Sequence, residues 1–99
     1  TYSVLIRAES TDEKKVFGFL DTAAAFINNT MGSSSLKILG PTPSPIGKIR
    51  GRIRGQLLLI SRSRKNLHAA GGHLISFVNE KKPGIKVKWS IDIDPIDHS

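Results

Sequence analysis

Ninety-nine residues without cysteine, with fifteen Lys and Arg against eight Asp and Glu for a formal charge of +7, make one small basic domain with neither a disulfide framework nor a thiolate metal site. A chain of this size buries only about 60–65% of its unfolded surface, which leaves little room for an enclosed cofactor. No signal-peptide pattern and no apolar run near the ~18 residues of a membrane span occurs, so the sequence reads as a soluble domain of a reducing compartment with no membrane partner.

In chain order, Tyr2 to Ala8 is apolar on both faces at most positions and reads as a central strand. Ser10 followed by Glu13 forms a capping-box pattern, with Asp12 and Glu13 well placed for the helix dipole. A helix is predicted from about Thr11 to Met31, burying Val16, Phe17, Leu20, Ala24, Ile27 and Met31. Phe19 and Phe26 fall outside that face and read either as contacts to a neighbouring domain or as ordinary exposed aromatics. Gly32 and three serines end the helix, and Leu36 to Leu39 reads as a short second strand. Residues 40–47 place Pro41, Pro43 and Pro45 at alternate positions. This spacing predicts a stiff loop outside the ladder between strands two and three, with a proline-rich recognition segment as the alternative.

The third strand is predicted over Lys48 to Ile60. Lys48, Arg50, Arg52, Arg54 and Gln56 share one parity, and Ile49, Gly51, Ile53, Gly55 and Leu57 the other. In a strand these polar residues form one row at roughly 6.6 Å spacing, whereas a helix would scatter them. If the helices cover the Ile53 and Leu57 side, the basic row faces outward, and that is the expectation. Ser61 or Ser63 caps a second helix, in which Leu67, Ala70, Gly71, Leu74 and Val78 trace an apolar face as far as about Lys82, with Pro83 and Gly84 ending it. The Gly71-Gly72 pair implies close packing on the sheet. Last, Val87, Trp89, Ile91 and Ile93 alternate with Lys86, Lys88, Ser90 and Asp92 in a strand ended by Pro95. The β-α-β-β-α-β order predicts an α+β, ferredoxin-like split sandwich: an antiparallel sheet with two helices on one face and the other face free for a partner.

The charge is local. Residues 48–65 contain Lys48, Arg50, Arg52, Arg54, Arg62, Arg64 and Lys65 and no acid, and the other eight cations balance the eight acids. A basic patch on an otherwise neutral domain suits a polyanion, nucleic acid first. The plainer reading is a charged edge strand that deters aggregation. No catalytic constellation accompanies the patch. Gly47-Lys48 lacks the rest of a phosphate loop, and His68 and His73 lie about 140° apart on a helix, so they make no metal pair. Asp92 and Asp94 read as partners for Arg or Lys, and no acylphosphatase motif is present. By itself the chain reads as a binding module, not an enzyme.

Three spaced motifs carry a family resemblance: Leu39 to Ile46, Arg50 to Leu59, and Lys88-Trp89-Ser90-Ile91-Asp92-Ile93-Asp94-Pro95, with Arg7-Ala8-Glu9 in support. Over nearly all its length the chain resembles the C-terminal domain of primosomal protein N′ (PriA), the bacterial replication-restart DNA helicase. Beginning at Thr1, with Met31 its only methionine, it reads as a piece of a longer chain. The resemblance implies a parent that is an ATP-dependent 3′ to 5′ helicase of the bacterial cytoplasm, acting in primosome assembly at stalled forks. ATP, magnesium and zinc would belong to that parent, with no cofactor here. It further implies binding of branched or single-stranded DNA, docking to the parent's helicase lobes, and capture of the acidic C-terminal tail of single-stranded DNA-binding protein by Arg52 and Gln56. Ile53 and Gly55 stand where the family motif carries aromatics, which removes base stacking there or marks those aromatics as packing residues. Two readings follow, a DNA platform and a chiefly protein-docking module, with a ribosomal-type RNA-binding domain as a third. Seven cations on single-stranded phosphates would give a salt slope of about −5, and a tail pocket a much shallower one.

Overall fold

The computed structural model describes residues 2–32, 36–81 and 87–93, without the side chains of 45–49. Six elements follow in order: β1 (Tyr2–Ser10), α1 (Glu13–Met31), β2 (Lys37–Ile49), β3 (Arg52–Ser61), α2 (Arg64–Lys81) and β4 (Lys88–Ile93). The four strands form one antiparallel sheet in the order β2-β3-β1-β4. This is the α+β, ferredoxin-like arrangement that the element order predicts, with β1 central. No helix among the described residues is long and apolar enough to cross a membrane.

Strand parity decides which face the helices cover. Val4, Ile6 and Ala8 of β1 and Leu57 and Leu59 of β3 are buried in one cluster with Val16, Leu20, Ala23 and Ile27 of α1 and Leu67, Ala70, Leu74 and Val78 of α2. The alternate residues, Leu5, Arg7 and Glu9 on β1 and Arg54, Gln56 and Leu58 on β3, pair across the strands on the opposite, open face. Leu57 is fully buried, so truncation to Ala costs about 2–5 kcal/mol.

Both strand-to-helix junctions use one device. Ser10 and Ser61, buried at the ends of β1 and β3, accept hydrogen bonds through Oγ from the backbone N–H groups of Asp12 (3.2 Å) and Ser63 (3.0 Å). Asp12 then caps α1 by accepting from the Lys14 N–H at 3.0 Å, and Ser63 caps α2 by accepting from the Asn66 N–H at 3.2 Å. The expected Ser10 cap is therefore displaced to Asp12, because Ser10 still belongs to the ladder opposite Ile53.

The proline segment departs from its expected loop. Residues 40–47 lie inside β2, with Thr42 opposite Gln56 and Pro43 opposite Gly55. Prolines at alternate positions turn their nitrogens to the same side of a strand, and an edge strand has one side without a ladder to lose. The fit requires irregularity: three steps from Leu39 to Thr42 face two on β3, and five from Pro43 to Lys48 face two more. Gly40 sits in the first of these at φ +103°, where a Cβ would meet the backbone N of Thr42 at 3.0 Å and the carbonyl oxygen of Gln56 at 3.2 Å.

Helix glycines and aromatics also resolve. Gly71 is buried, and a Cβ there would stand 3.4 Å from Ile91 Cδ1; Gly72 is exposed and would meet nothing within 4 Å. Close packing therefore accounts at most for Gly71. Gly18 in α1 likewise has open space around its Cβ position, so its cost to the helix, about 1 kcal/mol relative to Ala, has no packing reason. Phe19 and Phe26 are engaged within the domain. The Phe19 ring lies 5.6 Å from Trp89, and Phe26 stacks on Phe77 at 4.3 Å.

Candidate nucleic-acid and partner interface

The basic sequence is a hairpin, not one strand. Ile49 pairs with Arg52, and the two residues between them both have positive φ, Arg50 at 52° and Gly51 at 80°, the pattern of a two-residue turn whose twist matches its strands. Lys48 therefore belongs to β2 opposite Ile53, with its side chain outside the described atoms. Arg50 occupies the exposed tip, and only Arg52, Arg54 and Gln56 stand on β3. The expected unbroken row is corrected by this turn, although Arg52, Arg54 and Gln56 do face away from the helices.

Nor do Arg62, Arg64 and Lys65 extend that row. They are exposed just beyond the far end of β3, whose ten residues span roughly 30 Å. Between the two clusters the open face is mixed: Leu58 pairs with Leu5 and Leu39, Ile60 pairs with Lys37 and Ser3, and Asp92 stands opposite Leu5. Arg64 lies over the Tyr2 ring, 6.0 Å from its centroid, a cation–π distance.

At the hairpin end the cations have partners on the next strands. Arg52 Nε donates to Glu9 Oε2 at 2.8 Å, and Arg54 reaches Glu9 Oε1 at 3.8 Å. The hydrogen bond from Arg52, with the charges of Arg54 and Lys88 behind it, holds the Glu9 carboxyl below its ordinary value of 4.5 against an opposing push from partial burial. Arg7 donates to Asp92 at 2.6 Å, so Asp92 is the Arg partner the sequence suggests; Asp94 lies outside the described residues. Register then assembles a shallow depression of about 570 Å³ on the open face, lined by Arg7, Glu9, Ser44, Arg54, Gln56 and Lys88.

Arg7, Glu9 and Lys88 are absent from the sequence-based site. Alternation alone puts each on a definite face, but pairing register brings them beside Arg54 and Gln56, and register is not written in one strand. Gly55 and Ile53 belong to the other face. Gly55 is buried, and a Cβ there would meet Leu20 Cδ1 at 2.9 Å and Phe17 Cε1 and Val16 Cγ1 at 3.0 Å. A side chain at Gly55 would run into α1, and Ile53 shares its parity, so neither position points to a base on the open face. Among the described residues no aromatic stands on the open face, so a nucleic acid there would be held by charge and hydrogen bonds without stacking. Among them, too, no group of three or more His, Asp or Glu is placed to hold a metal.

Comparison with known proteins supplies the family. The solved structure of a de novo designed protein, Foldit4, superposes with a TM-score of 0.63 at 13% identity, covering 92% of this chain and 94% of that one, a likeness of fold alone. Replication restart protein PriA of Haemophilus influenzae is 32% identical over all 99 residues, and the chain spans 13% of that protein's length. The family model for the primosomal protein N C-terminal domain matches residues 1–96. With nearly every residue of the ferredoxin-like unit inside that match, the chain belongs to the family of primosomal protein N C-terminal domains.

Proposed function

We propose that this domain serves replication restart in the bacterial cytoplasm, as part of an ATP-dependent helicase, and that the hairpin end of its open sheet face contacts single-stranded or branched DNA. The observation that carries this reading is the outward parity of Arg52, Arg54 and Gln56 beside Arg50 at the turn. Arg50 strengthens it. A left-handed backbone costs a non-glycine residue roughly 1–2 kcal/mol, and Asn or Gly is the usual occupant of such a position. A cation kept there at that cost points to a use for its charge. Lys48 stands in register with Ile53, not with Arg52 or Arg54, so the group does not count on it, and Arg62, Arg64 and Lys65 form a second, separate basic cluster for a longer strand. Cofactor chemistry, with ATP, magnesium and zinc, belongs to the rest of such a helicase.

A second reading concerns the same residues. Arg52 already holds a carboxylate, that of Glu9, and a charge-assisted guanidinium–carboxylate bond is the recognition a terminal carboxylate would use. Exchange of Glu9 for the acidic tail of single-stranded DNA-binding protein, with Gln56 bonding the tail's backbone, is the docking alternative; contact with the helicase lobes would then use the part of the open face around Leu5, Leu39 and Leu58. Fluorescence anisotropy with single-stranded DNA and with an acidic tail peptide separates them. The DNA reading expects Arg50→Ala and Arg54→Ala each to weaken DNA binding several-fold. DNA affinity unchanged by either, with peptide binding lost only in Arg52→Ala, would select docking.

A further inference from the structure

The opposite side of the molecule has a site of its own. Where the first turns of α1 meet the last turns of α2, a groove of about 520 Å³ opens between the helices. Phe19, Ala23, Leu74 and Phe77 line its floor together with Lys14, Lys15 and Lys81, and among the described residues no acid lines it. Gly18 lies on the same wall. Nothing approaches within 4 Å of the place its Cβ would take, so the fold does not require glycine there, and any larger side chain would project into the groove. The missing side chain keeps the groove open.

We propose that this groove docks an acidic peptide segment that inserts a large apolar side chain. The charge pattern selects that chemistry. Lys14 and Lys15 in the first turn of α1 and Lys81 in the last turn of α2 are the charged residues of the lining, whereas Asp12 and Glu13, which cap and begin α1, and Glu80 are outside it. Carboxylates seat against these lysines while a Leu or Phe of the partner covers the floor between Phe19 and Phe77. A nucleic acid would find phosphate partners here but leave the apolar floor wet. The site is on the face away from Arg52, Arg54 and Gln56, so it is independent of the reading above.

The probe is a fluorescein-labelled peptide, Glu-Asp-Leu-Phe-Asp-Glu, titrated with the 99-residue chain. Saturable binding is expected in the Arg52→Ala chain, which lacks the sheet-face partner for a carboxylate, and is weakened there at least tenfold by Gly18→Leu, by Lys81→Glu, and by replacing the peptide's Leu and Phe with Ser. Leu is a better helix former than Gly at this exposed position, and Lys81→Glu tests the charged lining without touching the helix interior. The proposal is overturned by absence of saturation at millimolar protein, by equal binding of the Ser peptide or of Gly18→Leu, or by loss in Arg52→Ala. Concentration-dependent dimerisation abolished by Gly18→Leu in sedimentation would assign the groove to a second copy and overturn it as well.

Discussion

Glu9 sets how much of the hairpin charge is available. It is the more covered partner, 20% exposed against 43% for Arg52 and 41% for Arg54, so both guanidiniums remain reachable by an anion that can compete with one carboxylate. Removing that competitor with Glu9→Gln should raise DNA affinity about two- to fivefold at low salt, the scale of an exposed ion pair. Its acid behaviour has a definite sign. A carboxyl whose folded pKa is depressed stabilises the fold fully above the ordinary value of 4.5 and loses that contribution as pH falls through the lowered value. Urea midpoints should therefore drop below pH 4.5 more steeply in the wild type than in Glu9→Gln, and parallel curves would contradict the pairing. Gly55 acts at the same scale on the other face. With three side-chain carbons of α1 within 3.0 Å of its Cβ position, Gly55→Ala should cost about 1–3 kcal/mol by displacing α1 from the sheet, measured as a urea-midpoint shift.

At the scale of elements, the hairpin and the caps make separate predictions. Arg50→Asn suits a left-handed turn position better, so it should stabilise the domain by roughly 0.5–1 kcal/mol in chemical denaturation while weakening DNA binding. A loss of stability would mean that Arg50 is held by contacts rather than merely tolerated. Asp12→Ala and Ser63→Ala should each destabilise by about 1 kcal/mol through loss of one capping acceptor. The helices and β4 were legible because their apolar residues repeat at the element's own period: Leu67, Ala70, Gly71, Leu74 and Val78 are the buried residues of α2, while in α1 Val16, Leu20 and Ile27 are buried as expected, Ala23 joins them, and Phe17, Ala24 and Met31 are only partly covered. The break at Arg50-Gly51 was not, because alternation runs through it without changing parity and no Asn-Gly marks the turn. The proline run was misleading for a related reason: a lost N–H excludes a central strand but not an edge.

At the scale of the whole molecule, one sheet separates two chemistries, an open face with its cations at the hairpin end and a helix face with a lysine-lined groove. Which face is open followed from parity once Leu57 was assigned inward. The distribution of charge over that face did not, because it depends on pairing register and on the length of β3. A stretch that reads as seven adjacent cations becomes two clusters at opposite ends of a strand. The central claim, that DNA is held at the hairpin end of the open face, is tested most directly by the salt dependence of binding to a single-stranded oligonucleotide of about eight nucleotides. Contacts to Arg50, Arg52 and Arg54 predict a slope of log K against log salt of about −2, made shallower by Arg50→Ala with Arg54→Ala and unchanged by Arg62→Ala with Lys65→Ala. A slope near −5, or one indifferent to Arg50 and Arg54, would contradict it.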